Sequence, residues 1–230
     1  MTSAIVGIVC GLESERQALG AAVLEDARIA VAVSGARPAA AEQAASGMAE
    51  SGARVLLSWG LAGGLDARHR SGDLVIPRAV VGEEGGQWSA APFDFSPQDR
   101  VPSFATPARV VGLESIVFNA SEKRSLAVAS GASVADMESH RVARAGAARG
   151  VPVVVVRAVG DAHDRALPRL AADAIGADGR PRIGNVLLGL ARRPLDLPAL
   201  IHAAQDSARA HAALSTAAAP TVEALLASFG

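Results

Sequence analysis

The chain has 230 residues, half of them hydrophobic, and a formal net charge of −1 with no block of like charge. That length suits one α/β domain spanning residues 1–230, and the charge balance argues against an electrostatic footprint for nucleic acid. A single cysteine, Cys10, excludes an internal disulfide framework and a cysteine-based zinc site.

Residues 4–10 (AIVGIVC) are continuous, apolar and rich in β-branched side chains, which predicts a fully buried strand. A helical stretch follows from Leu12 to Leu24, then a second strand over 29–34 and an Ala-rich helix from Pro38 to Gly52. Residues 54–59 (RVLLSW) predict a third strand that runs into the turn Gly60-Leu61-Ala62-Gly63-Gly64. Residues 73–81 read as a strand near an edge or bulge because of Pro77. Residues 82–108 read as a long loop, 109–118 as extended chain, and Glu122-Lys123-Arg124 as the start of a short helix.

A helix over 135–149 is predicted to stop at Gly150, with Pro152 just beyond. Residues 153–159 (VVVVRAV) are too apolar for a surface position and predict a central strand. After an irregular stretch over 164–182, helices are expected at 183–193, 196–216 and 220–229, with starts marked by Asp196 and Pro220. Strands alternating with helices imply an α/β fold with a largely parallel sheet covered on both faces. Ligands in such sheets sit beyond the carboxyl ends of the strands. The first residues lack a positive n-region, and no apolar run approaches the ~20 residues that span a bilayer, so a cytoplasmic location is expected. The acceptor-like triplet Asn119-Ala120-Ser121 carries no weight in that setting.

Three acidic groups fall at or just after predicted strand ends: Glu13-Ser14-Glu15, Asp136-Met137-Glu138 at the start of the 135–149 helix, and Asp161 after the central strand. Each alone has a plain structural reading as a helix-dipole partner or a cap. Together, carboxylates gathered in one cleft raise one another's pKa values and divide acid and base roles. The scattered histidines form no metal-ligand set, and neither a Walker nor a dinucleotide-binding motif is present, so no cofactor is expected.

Three blocks agree in order and spacing with one superfamily: Gly11-Leu12-Glu13-Ser14-Glu15, residues 54–75 with their AGGL turn and later Gly72-Asp73 pair, and residues 134–164. They resemble the purine and uridine phosphorylases and the methylthioadenosine/adenosylhomocysteine nucleosidases. The resemblance implies a three-layer αβα sandwich with a central mixed, mostly parallel sheet. It also implies cleavage of the N-glycosidic bond of a purine nucleoside. On that basis Asp161 is the acid at purine N7 and Glu15 positions and activates the attacking water. Glu138 binds the ribose hydroxyls, Met137 packs on the sugar, and Asp136 lines the ligand beside them. Leu61, Ala62 and Gly63 form the turn that approaches the ligand, and Ser115 and Ile116 stand where the base is flanked.

Two departures matter. Leu61 replaces a family hydroxyl before Ala-Gly-Gly, and no arginine pair for phosphate appears near the first turn. Both favour water over phosphate as nucleophile, with phosphate as co-substrate only if cleavage is phosphorolytic. Ser115 occupies a position that often holds a base-stacking aromatic, a role left to Phe118 or the 82–108 loop. The string SWGLAGGL, Asp136-Met137-Glu138-Ser139, Leu167-Pro168, Arg193-Pro194 and Leu197-Pro198 resemble the hopanoid-associated phosphorylase-like subgroup. That subgroup is linked to release of adenine from adenosylhopane, giving ribosylhopane. Leu61 and Trp59 would suit an apolar 5′ substituent, although Trp59 also reads as core filling. The resemblance further implies a small-molecule or lipid-linked nucleoside as ligand, a homo-oligomer, and, for a lipid substrate, peripheral membrane contact through the C-terminal helices.

Overall fold

A computed structural model describes residues 4–92, 108–166 and 196–230. The described strands form one mixed sheet in the order β2-β1-β3-β8-β7-β5-β6, and β9 pairs with both β3 and β4. The strands are β1 (Val6–Cys10), β2 (Ile29–Val33), β3 (Val55–Gly64), β4 (Leu74–Val75), β5 (Pro77–Gly82), β6 (Gln87–Ser89), β7 (Ala108–Gly112), β8 (Val134–Asp136) and β9 (Val153–Asp161). The helices are α1 (Glu13–Gln17), α2 (Ala21–Leu24), α3 (Pro38–Glu50), α4 (Ala120–Ser130), α5 (Ser139–Arg149) and α6 (Leu197–Phe229).

Strands β1, β2, β3 and β9 run parallel, so their carboxyl ends meet at one edge. The apolar runs of β1, β3 and β9 are buried because both of their faces are covered. Cys10, Leu57, Trp59, Val154 and Val156 face a core completed by Leu19, Val23, Leu214 and Leu225 of the α1, α2 and α6 side. Val9, Leu56, Val153 and Val155 face Ala41 and Ala45 of α3 and Val142 and Ala145 of α5. The expected three-layer arrangement with a mostly parallel sheet is therefore observed.

Several boundaries differ from the sequence reading. The predicted 12–24 helix is two short ones broken around Gly20, and the 73–81 strand is interrupted at Ile76 to make β4 and β5. The predicted 82–108 loop contributes β6, which pairs antiparallel with β5. Its residues 93–107, the 183–193 helix, Leu167-Pro168 and Arg193-Pro194 lie outside the described residues. Residues 134–136 are strand, not helix, so α5 begins only at Ser139. It ends as predicted at Gly150, whose φ of 66° suits glycine.

The helices expected at 196–216 and 220–229 are one continuous helix, α6, with Pro220 inside it. The carbonyl that Pro220 leaves without a backbone donor belongs to Thr216, an exposed residue, and Thr221 Oγ1 donates to Ala217 O at 2.6 Å in the same turn. By length and mean hydropathy α6 is apolar enough to cross a bilayer, contrary to the sequence expectation; its Ala210, Leu214, Ala217, Val222 and Leu225 are packed on the sheet.

Candidate active site

Gly11 closes β1, and the chain turns through Leu12 into the single turn of α1. Glu15 stands at the third helical position and folds back on the turn. Its Oε2 accepts from Gly11 N at 2.8 Å and Leu12 N at 2.9 Å. Its Oε1 accepts from Leu61 N at 2.8 Å, across the carboxyl end of β3. Only glycine fits opposite: a Cβ on Gly60 would lie 2.7 Å from Cδ and both oxygens of Glu15. Burial raises the Glu15 pKa, against the opposing pull of its backbone donors and Arg157.

Glu138 follows β8, which runs antiparallel to the end of β3 and brings the chain back toward Gly11. A Cβ on Gly11 would lie 2.7 Å from Glu138 Oε1 and 3.3 Å from Glu15 Oε2. The two carboxyl groups therefore share one corner of the protein. Burial, reinforced by Asp136 and Glu15, lifts the Glu138 pKa to about 8. Burial and the neighbouring carboxylates thus favour the neutral, protonated form of this carboxyl, which can donate as well as accept.

Arg157 compensates this acidic group from β9. It is wholly buried and every arm is occupied. Nε donates to Asp136 Oδ2, Nη1 to Val156 O at 3.1 Å, and Nη2 to Ser58 Oγ at 2.6 Å and Ser139 Oγ at 3.2 Å. Asp136 also accepts from Ser139 N at 3.1 Å and from the Ser139 hydroxyl. Asp136, read in the sequence as lining the ligand, is thus turned inward to hold Arg157.

Asp161 ends β9. Ala62 opposes Val159 whereas Gly63 opposes Asp161, which leaves Gly160 as an extra residue that bends the strand. Asp161 Oδ1 would lie 3.5 Å from a Cβ on Gly63. Gly60 and Gly63 are three residues apart on β3, about 10 Å at strand spacing. The stretch from Gly60 to Gly63 is therefore flanked by the Glu15–Glu138 corner at one end and Asp161 at the other. Leu61 and Gly63 are half-buried there and Ala62 is buried. Burial raises the Asp161 pKa, the Lys123 ammonium opposes that rise, and Asp206 adds to it.

Of the other predicted residues, Met137 is half-buried beside Glu138. Ser115 is exposed and Ile116 half-buried in the segment after β7. Trp59 is fully buried in the core on the α6 side, so it does not form an apolar pocket wall; its Nε1 donates to Glu15 O at 3.3 Å and ties α1 to β3. Sequence reasoning missed Arg157 and Lys123. Arg157 had a signal, being one cation in seven otherwise apolar strand residues. Lys123 had none, since Glu122-Lys123-Arg124 reads as a solvated helix start.

Among the described residues no group of His, Cys, Asp and Glu side chains is placed to hold a metal ion. An apolar depression of about 350 Å³ lies between β2 and α3, lined by Ala30, Ala32, Ala44 and Met48. It sits near the amino ends of the strands, beside Ala4 and Ala53, and holds none of the groups above.

Residues 16–110 match the family model described as the phosphorylase superfamily. The chain superimposes on 5′-methylthioadenosine/S-adenosylhomocysteine nucleosidase from Neisseria meningitidis in complex with methylthio-immucillin-A. The TM-score is 0.68 at 15% identity, over 95% of this chain and 98% of that one. The fold is that of the nucleoside phosphorylases and nucleosidases. The Helicobacter pylori nucleosidase of the same name gives a TM-score of 0.67 at 14% identity, covering 99% of this chain and 100% of that one. The futalosine hydrolase of H. pylori gives 0.66 at 15% identity, covering 98% of each chain. No protein of curated function matches the sequence.

Proposed function

We propose that the chain is a nucleosidase that hydrolyses the N-glycosidic bond of a purine nucleoside, and that its substrate is adenosylhopane, giving adenine and ribosylhopane. The observation that carries the reading is the placement of Glu15 and Glu138 together at one end of Gly60–Gly63, with Asp161 at the other. Glu15, made more basic by burial, takes a proton from water as the water oxygen bonds to C1′. The C1′–N9 bond breaks with its electron pair passing to the purine, and Asp161 gives its proton to N7. Glu138 holds the ribose hydroxyls, and Met137 packs beside them. The backbone of Leu61, Ala62 and Gly63 approaches the ligand, and Ser115 and Ile116 flank the base. Asp136 acts by fixing Arg157.

Water is favoured over phosphate because, among the described residues, the cations nearest Glu15 are engaged. Arg157 is bonded on every arm, and Arg16 pairs with Glu13 at 2.6 Å. Leu61 supplies no hydroxyl. An apolar 5′ substituent is supported by Leu61 and by the subgroup motifs. Exposed Leu197 and Ile201 at the start of α6 support peripheral contact with a lipid surface.

The test is purified protein incubated with adenosylhopane, methylthioadenosine and adenosine, with and without phosphate, and assayed for free adenine. Phosphate-independent release, fastest from adenosylhopane, is expected. Release only with phosphate would make the chain a phosphorylase, and preference for methylthioadenosine would remove the lipid substrate.

A further inference from the structure

Lys123 lies on α4, one turn from Leu126 and Ala127, and the same helix face packs those residues against Leu65, Val111 and Ala135. A lysine on such a face is carried into the interior, and its side chain is 2% exposed. Its ammonium donates to Ala162 O at 2.8 Å and to Asp161 Oδ2. A buried cation is costly unless an acceptor set is built for it. Here that set is the end of β9 itself. Asp161 Oδ2 is thereby tied to α4, while Oδ1 is left toward Gly63.

Among the described residues, the other charges around Asp161 come from two places. Asp206 of α6 faces it and is held by Arg165 at 3.3 Å and Arg209 at 2.6 Å. His163, Asp164 and Arg165 follow it in the chain, and His163 and Asp164 are 4.0 Å apart. Lys123 is the cation in direct contact with the carboxyl group.

We propose that Lys123 is the positioning residue of the purine-side acid: it anchors Asp161 through Oδ2 and compensates the negative charge that Asp161 acquires when its proton passes to the departing base. The inference rests on the nucleosidase reading. In the step, the C1′–N9 electron pair goes to the purine, the Asp161 proton goes to N7, and the new carboxylate faces the Lys123 ammonium. Without Lys123, burial and Asp206 remain, so the acid holds its proton more tightly and the carboxylate left behind is uncompensated.

The experiment combines carboxyl NMR titration of Asp161 with pH–rate profiles for wild type, Lys123→Met and Lys123→Arg. In the Met variant the Asp161 midpoint is expected to rise by about one pH unit or more. Its kcat plateau should fall about tenfold or more with KM little changed. Arg, which keeps the cation, should restore most of both. A Met variant with unchanged Asp161 titration and unchanged kcat profile would overturn the proposal. If the Met variant does not fold, the wild type still decides. The Lys123 ammonium resonance must respond as Asp161 titrates, and an insensitive ammonium overturns the pairing. Failure of the nucleosidase reading shows separately, as no base release by a wild type whose Lys123 resonance still responds as Asp161 titrates.

Discussion

Replacing Glu138 with glutamine should remove an unusual dependence of stability on pH. Burial, with Asp136 and Glu15 adding to it, lifts this carboxyl from 4.5 to about 8. The folded state therefore holds the proton more tightly than the unfolded chain does. The stabilisation is complete below pH 4.5, falls as pH rises, and is gone above about 8, the opposite of a salt-bridged carboxylate. At 1.36 kcal/mol per pH unit, the ceiling is on the order of 5 kcal/mol. Glutamine keeps the neutral shape without the titration. Urea denaturation of both proteins at about pH 5 and about pH 9 gives the stability difference directly. The variant should gain several kcal/mol on the wild type between the two conditions. An equal difference at both would show that Glu138 titrates as an ordinary carboxyl and that the Glu15–Glu138 corner is not as dry as its burial indicates.

Three further outcomes follow from the same geometry. Gly60→Ala puts a methyl 2.7 Å from the Glu15 carboxyl, so the Leu61 N–H bond should break. Base release should then fall by roughly 10²-fold with the fold retained by circular dichroism. Arg157→Met leaves Asp136 buried without its cation and should cost about 3–5 kcal/mol in denaturant unfolding. Adding Asp136→Asn to that variant should recover part of the loss, which a double-mutant cycle measures.

The sequence carried the parts of this fold whose physics is local or repeated. β1, β3 and β9 were legible because a strand buried on both faces must be apolar throughout, and the stop at Gly150 because a helix end favours a residue at positive φ. β8 was not, since three residues carry no periodicity, and Asp136-Met137-Glu138 consequently read as the first turn of a helix. Pro220 read as a boundary because the rule for proline takes no account of which carbonyl it frees; here that carbonyl belongs to Thr216, an exposed residue of α6.

At the site, Glu15 and Asp161 were legible as acids after strands, and Glu138 as an acid at a helix start. The identity of their neighbours was not. Whether Asp136 faces a ligand or Arg157, and whether Asp161 is alone or paired with Lys123, depends on contacts 21 and 38 residues apart in the chain. Trp59 shows the same limit: its place in the ligand-turn strand suggested a pocket wall, and the pleat turned it to the core.

The most direct measurement is adenine release by wild type, Asp161→Asn and Glu15→Gln, each checked for an unchanged melting profile. Each substitution removes one proton transfer and should lower the rate by about 10²–10⁴-fold. A rate within several-fold of wild type in either variant would contradict the division of acid and base between the two ends of Gly60–Gly63.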